Sequence, residues 1–261
     1  MNGAESLVAA AIASNIEVCF ANPGTTEVPV VVALDTVPGI KPVLCLFEGV
    51  CTGAADGYAR MAGKPALTLL HLGPGLGNGL ANLHNARRAR TSVVNLIGEQ
   101  ASWHIASDPP LVSDINSIAS AVSDWVRTAQ TAEGVAGDTS AAIAAARKYP
   151  GGVATLILPS DCLWTNVERN TILDCGYQQP SFDVDGVHLM AQMLSERSGS
   201  LLLMGGQALR EEGLQAAAHI AACTGCRLMS EGFPARLERG AGLPLVNRLP
   251  YFPDQVRESL E

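Results

Sequence analysis

Short apolar runs alternate with longer stretches whose apolar positions recur at helical spacing through the first part of the chain. The runs predict strands at 17–21, 42–47, 66–71, 92–97, 124–129 and 153–158. Helices are predicted between them at 3–14, from 27 onward, at 49–62, up to 89 after a glycine-rich turn at 73–79, and at 140–148. Strict alternation of strands and helices predicts an α/β fold, a parallel sheet with helices on both faces.

The run at 42–47 carries the strongest burial signal of these strands. Residues 43–47 are all apolar, without the alternation of a strand that has one solvent-facing side. Continuous apolar runs are typical of strands buried on both faces of a parallel sheet. We therefore expect a fully buried strand that leads directly into the helix at 49–62.

The pattern changes after Pro159, where a polar stretch with little periodicity predicts a linker. We place the linker at 166–183, between one domain at 1–165 and a second at 184–261. The second domain is predicted to contain helices at 184–195 and 209–224 and strands at 200–204 and 227–230. Two strands are too few for an independent parallel sheet, which predicts an incomplete second α/β domain, the first half of a larger one.

Composition narrows the class of protein. Of 261 residues, 48% are hydrophobic and 16% are charged, which supports a sizeable core and excludes a disordered chain. The net charge of -8, without a Lys/Arg block, excludes a typical nucleic-acid binder or basic membrane-surface protein. No basic residue precedes Lys41 and no apolar run approaches a membrane span, so we expect a cytoplasmic protein with no membrane partner.

The cysteines and the glycine cluster exclude two further kinds of site. The seven cysteines are scattered and odd in number, which predicts reduced, buried thiols in an intracellular protein. Cys223 and Cys226 form an isolated CxxC without a second ligand pair, so we expect no metal site there. The glycines at 73–79 are spaced GxGxGxG, with Asn78 where the dinucleotide fingerprint GxGxxG requires glycine.

Glu48 is the strongest single candidate for chemistry. It stands where the apolar strand turns into a helix, and ligands of parallel α/β sheets bind at this edge. Its carboxylate can complement the helix N-terminus, a structural role. Alternatively, it is an acid held in an apolar wall that exchanges a proton with a bound ligand. The residue alone leaves both roles open.

Taken together, the motifs resemble the N-terminal, pyrimidine-binding domain of thiamine-diphosphate enzymes of the acetolactate synthase and benzoylformate decarboxylase group. They are, in chain order, ANPGTTE at 21–27, Glu48-Gly49, ADGYAR at 55–60, His71 with Gly73-Pro74-Gly75 and Asn78, and TLILP at 155–159. The resemblance covers 1–165, and its order and spacing make it more specific than any single motif. Residues 184–261 resemble the opening half of the family's central domain.

The resemblance implies a role for each matching residue. The glutamate matching Glu48 hydrogen-bonds a pyrimidine nitrogen of thiamine diphosphate and favours the imino tautomer, which removes the thiazolium C2 proton. The other residues implied to bind the cofactor are Asn22, Pro23, Gly24, Gly73 and Asn78. Thr25 is implied to face the substrate. A histidine at the place of His71 acts in proton transfer in benzoylformate-decarboxylase-like members, although a packed, hydrogen-bonded histidine is equally compatible with the sequence.

The family also holds Mg²⁺ and the cofactor diphosphate on a C-terminal domain with a GDG motif, which does not occur in this sequence. We therefore expect Mg²⁺ to be bound by a domain absent from this chain, while binding of FAD, found in some relatives, stays open. The leading interpretation is an acetolactate-synthase-like 2-oxo acid decarboxylase or carboligase, a homodimer or tetramer, inactive as this piece alone. A benzoylformate-decarboxylase-like enzyme, favoured by His71, and a non-catalytic paralogue or partner subunit are the alternatives.

Overall fold

A computed structural model of the chain describes residues 1–168, 181–196 and 199–261. The chain divides into two compact units, Met1–Gln179 and Pro180–Glu261. Most of the linker predicted at 166–183 lies outside the described residues. The polar stretch that follows Pro159 nevertheless begins with a short helix, Ser160–Trp164.

The first unit contains seven α-helices and six strands among its described residues. The helices are α1 (Gly3–Ala13), α2 (Val28–Thr36), α3 (Glu48–Ala62), α4 (Leu72–Arg88), α5 (Ile115–Ser120), α6 (Val135–Arg147) and α7 (Ser160–Trp164). The strands are β1 (Val18–Asn22), β2 (Lys41–Leu44), β3 (Ala66–Leu70), β4 (Val93–Glu99), β5 (Trp125–Thr128) and β6 (Val153–Pro159). The periodicity does not predict α5 and α7, which are too short to show a helical repeat.

All six strands form one parallel sheet in the order β2-β1-β3-β4-β6-β5. One apolar core, to which α1, α2, α6 and α7 contribute, covers one face of the sheet. A second core, to which α3, α4 and α5 contribute, covers the other face. This confirms the predicted α/β fold with helices on both faces of a parallel sheet.

A chain of buried hydrogen bonds crosses the three central strands. Thr68 Oγ1 donates to Asn95 Oδ1 over 2.7 Å, and Asn95 Nδ2 donates to Thr155 Oγ1 over 3.0 Å. Because buried polar groups need partners, a slip of one residue would leave these side chains unpaired on the opposite face. These hydrogen bonds therefore stabilise the register of β3, β4 and β6, the strands at whose carboxyl edge the site described below lies.

The prediction of a fully buried strand at 42–47 is wrong. The strand ends at Leu44 and lies at the edge of the sheet, where β1 is its one partner among the described strands. Leu44 is 73% exposed, Leu46 91% and Phe47 49%. An apolar run without alternation indicates burial only when neighbours cover both faces, and an edge strand of this unit lacks one neighbour. The run instead forms an exposed apolar surface.

The glycine-rich segment at 73–79 is helical, which corrects the prediction of a turn there. Helix α4 begins at Leu72, whose φ of 54° makes the turn out of β3. Close packing accounts for two of the glycines: a Cβ on Gly73 would lie 2.4 Å from Ser113, and one on Gly79 would lie 2.9 Å from Thr52. Small residues are therefore required at these positions by neighbouring elements, although glycine weakens a helix.

The second unit is a smaller α/β assembly. Its elements are α8 (Val184–Glu196), β7 (Leu201–Met204), α9 (Glu211–Thr224), β8 (Arg227–Ser230), β9 (Asn247–Arg248) and α10 (Pro253–Leu260). The parallel sheet has three strands in the order β7-β8-β9, so the prediction of two strands misses β9. A two-residue, polar strand carries no apolar signal. The core of this unit contains Met204, Leu209, Leu214, Ala217 and Val246.

No helix within the described ranges is long and apolar enough to cross a membrane. The six described cysteines are free, and all of them except Cys223 are buried; Cys175 lies outside the described residues. Burial raises the pKa of the Cys19 thiol to about 12 and that of the Cys162 thiol to about 11. Both thiols therefore stay protonated at neutral pH, which makes them poor nucleophiles.

Candidate active site

The carboxyl edge of the sheet collects the ionisable side chains that the sequence brings to strand ends. Glu48 begins α3 shortly after β2, His71 directly follows β3, and Glu99 is the last residue of β4. The strands are parallel, so all these positions fall at one edge. This is the edge at which α/β sheets bind ligands.

Glu48 is a buried carboxylate at the start of a helix. It is 9% exposed, and its Oε2 accepts a hydrogen bond from Asn78 Nδ2 over 2.9 Å. Gly75, on the same face of α4, lies against the other oxygen: a Cβ there would be 3.1 Å from Glu48 Oε1. The structure thus brings together Glu48 and Asn78, two of the predicted cofactor-binding residues, through α4.

Helices α3 and α4 are held closely together around Glu48. Asn82 Nδ2 donates to the Gly49 carbonyl over 2.7 Å, and Thr52 Oγ1 lies 3.1 Å from the Gly79 carbonyl. The glycine at 79 allows this approach, because a Cβ would meet the Thr52 side chain. Helix α3, which begins with Glu48, is therefore hydrogen-bonded to α4 at Gly49 and Thr52, and this arrangement favours a fixed orientation of the Glu48 carboxylate.

The last residue of β1, Asn22, contacts the loop that precedes Glu48. Asn22 Nδ2 donates to the Cys45 carbonyl over 2.8 Å and so fastens the loop that leads to α3. Pro23 and Gly24 continue the turn, and Thr25 is exposed at the start of the 3₁₀ turn that follows. The contact of Asn22 is structural; the predicted roles of Asn22 and Pro23 toward the cofactor, and of Thr25 toward the substrate, stay predictions.

His71 lies in a second cluster with Glu27, a residue that belongs to the motif at 21–27 but has no role assigned from the sequence. Its Nδ1 is 2.8 Å from Glu27 Oε2 and 3.4 Å from Thr26 Oγ1. Glu27 also accepts the Gly24 N–H over 2.7 Å, which is the half of a capping box in which the N3 carboxylate reaches back to the N-cap backbone. That spacing, a glutamate three residues after the start of a helical turn, is the signal in the sequence that identifies Glu27.

Gly24 and Gly73 differ in what they pack against. A Cβ on Gly24 would lie 2.3 Å from the His71 ring, so the imidazole rests directly on this backbone. A Cβ on Gly73 would lie 2.4 Å from the Ser113 side chain, in the segment before α5. The structure therefore brings Gly24 to the imidazole, while the contact shown by Gly73 is with a neighbouring segment. Their roles toward a cofactor stay predictions.

Glu99 is a buried acid that periodicity alone does not mark as functional. It is 7% exposed and accepts the Gln100 backbone N–H over 2.7 Å. Burial raises the pKa of the Glu99 carboxyl above its ordinary value, and the Gln100 hydrogen bond opposes this shift. A carboxylate at the end of an apolar strand is the signal in the sequence that could have identified it.

The described residues contain no group of three or more His, Cys, Asp or Glu side chains that could hold a metal ion. The polar side chains described at this edge include carboxylates and one imidazole in two clusters. The first contains Glu48 and Asn78, and the second contains Glu27, Thr26 and His71. Acids and an imidazole in partly buried positions can hold and exchange protons with a ligand.

Comparison with known proteins shows which family the first part of the chain is similar to. Residues 1–121 match the family model described as thiamine pyrophosphate enzyme, N-terminal TPP binding domain. A Mycobacterium tuberculosis protein, provisionally named acetolactate synthase large subunit IlvX, is 50% identical over 261 residues, covering 100% of this chain and 50% of the relative. Benzoylformate decarboxylase of Pseudomonas aeruginosa is 32% identical over 143 residues, 54% of this chain and 27% of that protein.

Solved structures agree on the fold. A protein from Mycobacterium smegmatis, provisionally described as a thiamin diphosphate-dependent enzyme, superimposes with a TM-score of 0.87 at 24% identity, covering 100% of this chain and 50% of that one. At this level of identity the likeness concerns the fold. All of this chain matches the Mycobacterium tuberculosis relative, but the chain spans only about half of that relative's length.

Proposed function

We propose that this chain, whose residues 1–121 match the N-terminal TPP binding domain of thiamine pyrophosphate enzymes, supplies the pyrimidine-binding half of a 2-oxo acid decarboxylase or carboligase of the acetolactate synthase type. The observation that carries the proposal is Glu48, a buried carboxylate at the carboxyl edge of the sheet, held by Asn78 over 2.9 Å. The substrate would be a small 2-oxo acid.

The residues around Glu48 fit the pyrimidine ring of the cofactor. Oε2 of Glu48 is engaged by Asn78, whereas Oε1 faces Gly75, whose missing side chain leaves space beside it. A pyrimidine nitrogen needs one carboxyl partner in an apolar site, and the Glu48–Asn78 pair offers a single oriented oxygen for this purpose. Thiamine diphosphate, when bound, supplies the carbanion stabilisation that lets a 2-oxo acid lose CO₂.

The chain's own residues would orient the cofactor and hold protons. Glu48 would hold or donate a proton at the pyrimidine nitrogen, with Asn78 fixing the carboxyl rotamer. His71 would exchange a proton with the substrate. We further propose that Mg²⁺ and the diphosphate are bound by a domain outside this chain; the described residues hold no candidate metal cluster of their own, and FAD has no role in the proposal.

An exposed apolar surface next to Glu48 offers a contact site for a partner subunit. Leu46, Phe47 and Val50 are 91%, 49% and 54% exposed around the start of α3. Surfaces of this kind mark protein interfaces when they are contiguous. We propose a homo-oligomer, a dimer or tetramer, in which this surface is covered by a second copy.

The alternative enzyme is of the benzoylformate decarboxylase type. It is favoured by the Glu27–His71 contact of 2.8 Å, which holds an imidazole ready for proton transfer, and by the relative that carries this name. A chain that binds no cofactor and serves as a partner subunit is the alternative of another class. In the enzyme completed by the diphosphate-binding domain, carbon dioxide release from pyruvate and from benzoylformate distinguishes the two enzyme types. Absence of both activities together with absence of cofactor binding in that completed enzyme favours the third.

A cofactor titration followed by NMR tests the proposal on the 261-residue chain. We expect thiamine diphosphate with Mg²⁺ to shift the backbone amide signals of 48–52 and 73–79, with an affinity weaker than micromolar. Weak affinity follows because most charged contacts to the diphosphate come from another domain. Unchanged amide signals in both segments would contradict the proposal, and micromolar binding would contradict the assignment of the diphosphate to another domain.

Two variants make the titration specific. Glu48→Gln keeps the size of the side chain but removes the ionisable group, and it should weaken the shifts. Glu212→Gln is a matched control, since Glu212 also lies in the first turn of a helix, α9, and is exposed. Equal shifts in the wild type and Glu48→Gln would indicate that Glu48 serves only the helix terminus.

A further inference from the structure

We propose that Glu27 is a positioning residue for His71: its buried carboxylate holds the hydrogen of the imidazole on Nδ1 and thereby presents Nε2 to the substrate. The inference deepens the proposed function, because it assigns an orientation to the proton-transferring histidine. It rests on the proposed function only for the identity of the substrate, a 2-oxo acid. The contact itself, 2.8 Å between His71 Nδ1 and Glu27 Oε2, belongs to this chain alone.

The first argument is the burial of Glu27. Its side chain is 0% exposed, whereas the His71 side chain is 23% exposed. A carboxylate withdrawn from water is destabilised unless several donors reach it. Glu27 therefore needs strong hydrogen-bond donors, and their arrangement is expected to be specific.

The donors around Glu27 account for both of its oxygens. Oε2 accepts the Gly24 N–H over 2.7 Å and lies 2.8 Å from His71 Nδ1. Oε1 accepts the Thr26 hydroxyl over 2.6 Å. An ionised carboxylate only accepts hydrogen bonds, so the imidazole nitrogen that faces it must carry the hydrogen. This assigns the Nδ1–H tautomer to neutral His71.

The packing of two glycines fixes this geometry from both sides. A Cβ on Gly98, at the end of β4, would lie 1.6 Å from Glu27 Oε1, so the carboxylate fills the space that a side chain would occupy. A Cβ on Gly24 would lie 2.3 Å from His71 Nδ1. Neither the carboxylate nor the ring can occupy its position if these residues are larger. Backbone from β4 and from the turn after β1 thus forms the seat of the pair.

The opposite edge of the ring is the one left for a ligand. Within the described part of the chain, His71 Nε2 has no hydrogen-bond partner, and the side chain is partly exposed at the carboxyl edge of the sheet. With Nδ1 carrying the hydrogen, Nε2 holds a lone pair that can accept a proton. The same logic operates where a carboxylate orients an imidazole that binds a metal through its other nitrogen. Glu27 therefore acts through His71 and does not itself touch the substrate.

Nitrogen-15 NMR of the histidine side chains tests the assignment directly, in the full chain without cofactor. We expect neutral His71 to be the Nδ1–H tautomer, recognised by the coupling of its ring protons to a protonated Nδ1. A predominant Nε2–H tautomer in the wild type would overturn the proposal. Because no cofactor is present, this result is independent of whether the chain binds thiamine diphosphate.

Variants of Glu27 separate positioning from folding. In Glu27→Leu, which fills the space but offers no acceptor, we expect the Nε2–H tautomer to predominate. Glu27→Gln keeps an acceptor oxygen and can direct its amide N–H to the Thr26 hydroxyl, so it should fold and retain part of the Nδ1–H population. Gly77→Ala is the control, since a Cβ there meets nothing within 4 Å. An unchanged tautomer in both Glu27 variants would overturn the proposal.

A chemical readout supports the spectroscopy. Diethyl pyrocarbonate modifies the unprotonated nitrogen of an imidazole, and mass spectrometry can follow modification of His71 on the intact chain. We expect His71 to react at Nε2 in the wild type and more slowly at that atom in Glu27→Leu, because the tautomer with a free Nε2 lone pair is then the minor one. Equal rates in the wild type and Glu27→Leu would contradict the positioning role.

Discussion

The Asn78 side-chain amide donates to the Glu48 carboxylate over 2.9 Å, from the next helix along the chain. This hydrogen bond occupies one oxygen of a carboxylate that is 9% exposed and leaves the other beside Gly75. It also couples the first turn of α3 to the first turns of α4. Substitutions on either helix should therefore act on the same carboxyl group, by different physical routes.

Substitution of Glu48 by Gln tests its chemical role in the enzyme loaded with thiamine diphosphate. Gln keeps the size and one acceptor but cannot donate an acidic proton, so hydrogen–deuterium exchange at the cofactor C2 should slow about 10²–10⁴-fold. If Glu48 only complements the helix, the substitution should cost about 0.3–1 kcal/mol of stability and leave the exchange rate unchanged. A melting curve recorded beside the exchange measurement distinguishes the two roles.

Substitution of Asn78 by Ala removes the donor to Glu48 Oε2. We expect a loss of about 0.5–1.5 kcal/mol in the free energy of unfolding, the net value of one hydrogen bond, because Asn78 is exposed and water can take its place. Asn78→Asp should destabilise more, because it places a second carboxylate next to Glu48. Urea denaturation measures both changes, with Asn85→Ala on the exposed side of α4 as the control. Equal stabilities of the two Asn78 variants and the control would contradict the prediction.

Substitution of Gly98 by Ala tests the seat of Glu27. The new Cβ would lie 1.6 Å from Glu27 Oε1, so the buried carboxylate must move, and overpacking typically costs about 1–3 kcal/mol. Gly77→Ala, in the open interior of α4, should instead stabilise by about 0.5–1 kcal/mol through helix propensity. Urea denaturation of both variants gives the comparison, and a Gly98→Ala protein as stable as wild type would show that Glu27 is not confined.

The dependence of stability on pH should carry a contribution from Glu99. Burial raises the pKa of this carboxyl above its ordinary 4.5, so the folded state binds the proton more tightly than the unfolded state. The contribution is constant below 4.5 and becomes unfavourable as the pH rises from 4.5 through the folded-state pKa. In this window the free energy of unfolding should fall less steeply in Glu99→Gln than in wild type, whereas Glu212→Gln should follow wild type. Parallel pH profiles of wild type and Glu99→Gln would refute the assignment.

The exposed apolar surface beside α3 should make the chain self-associate. Leu46 is 91% exposed, so Leu46→Glu should shift the distribution toward the 27.2 kDa monomer without lowering the melting temperature. Val32→Glu, at a 54% exposed position on α2, is the control and should leave association unchanged. Light scattering over a range of concentrations measures the change, and a monomeric wild type at high concentration would contradict it.

The sequence by itself determines the order of elements and the edge on which the site lies. Periodicity is local, so the strands and all helices of the first unit except the short α5 and α7 follow from short windows, and their alternation predicts a parallel sheet. The positions of Glu48 and His71 after strands then place both at the carboxyl edge. The motifs likewise indicate the resemblance to the family, and residues 1–121 match the model of its N-terminal TPP binding domain.

Only the tertiary structure decides which of these residues are buried and which side chains meet. The apolar run at 43–47 has the pattern of a central strand, but the strand that forms there, at 41–44, lies at the edge of the sheet. The position of a strand in a sheet depends on partners far along the chain. His71 and Glu27 are separated by 44 residues, and the glycine at 98 that confines the carboxylate comes from a third strand. Burial and hydrogen-bond partners arise from several distant segments at once, which no local pattern encodes.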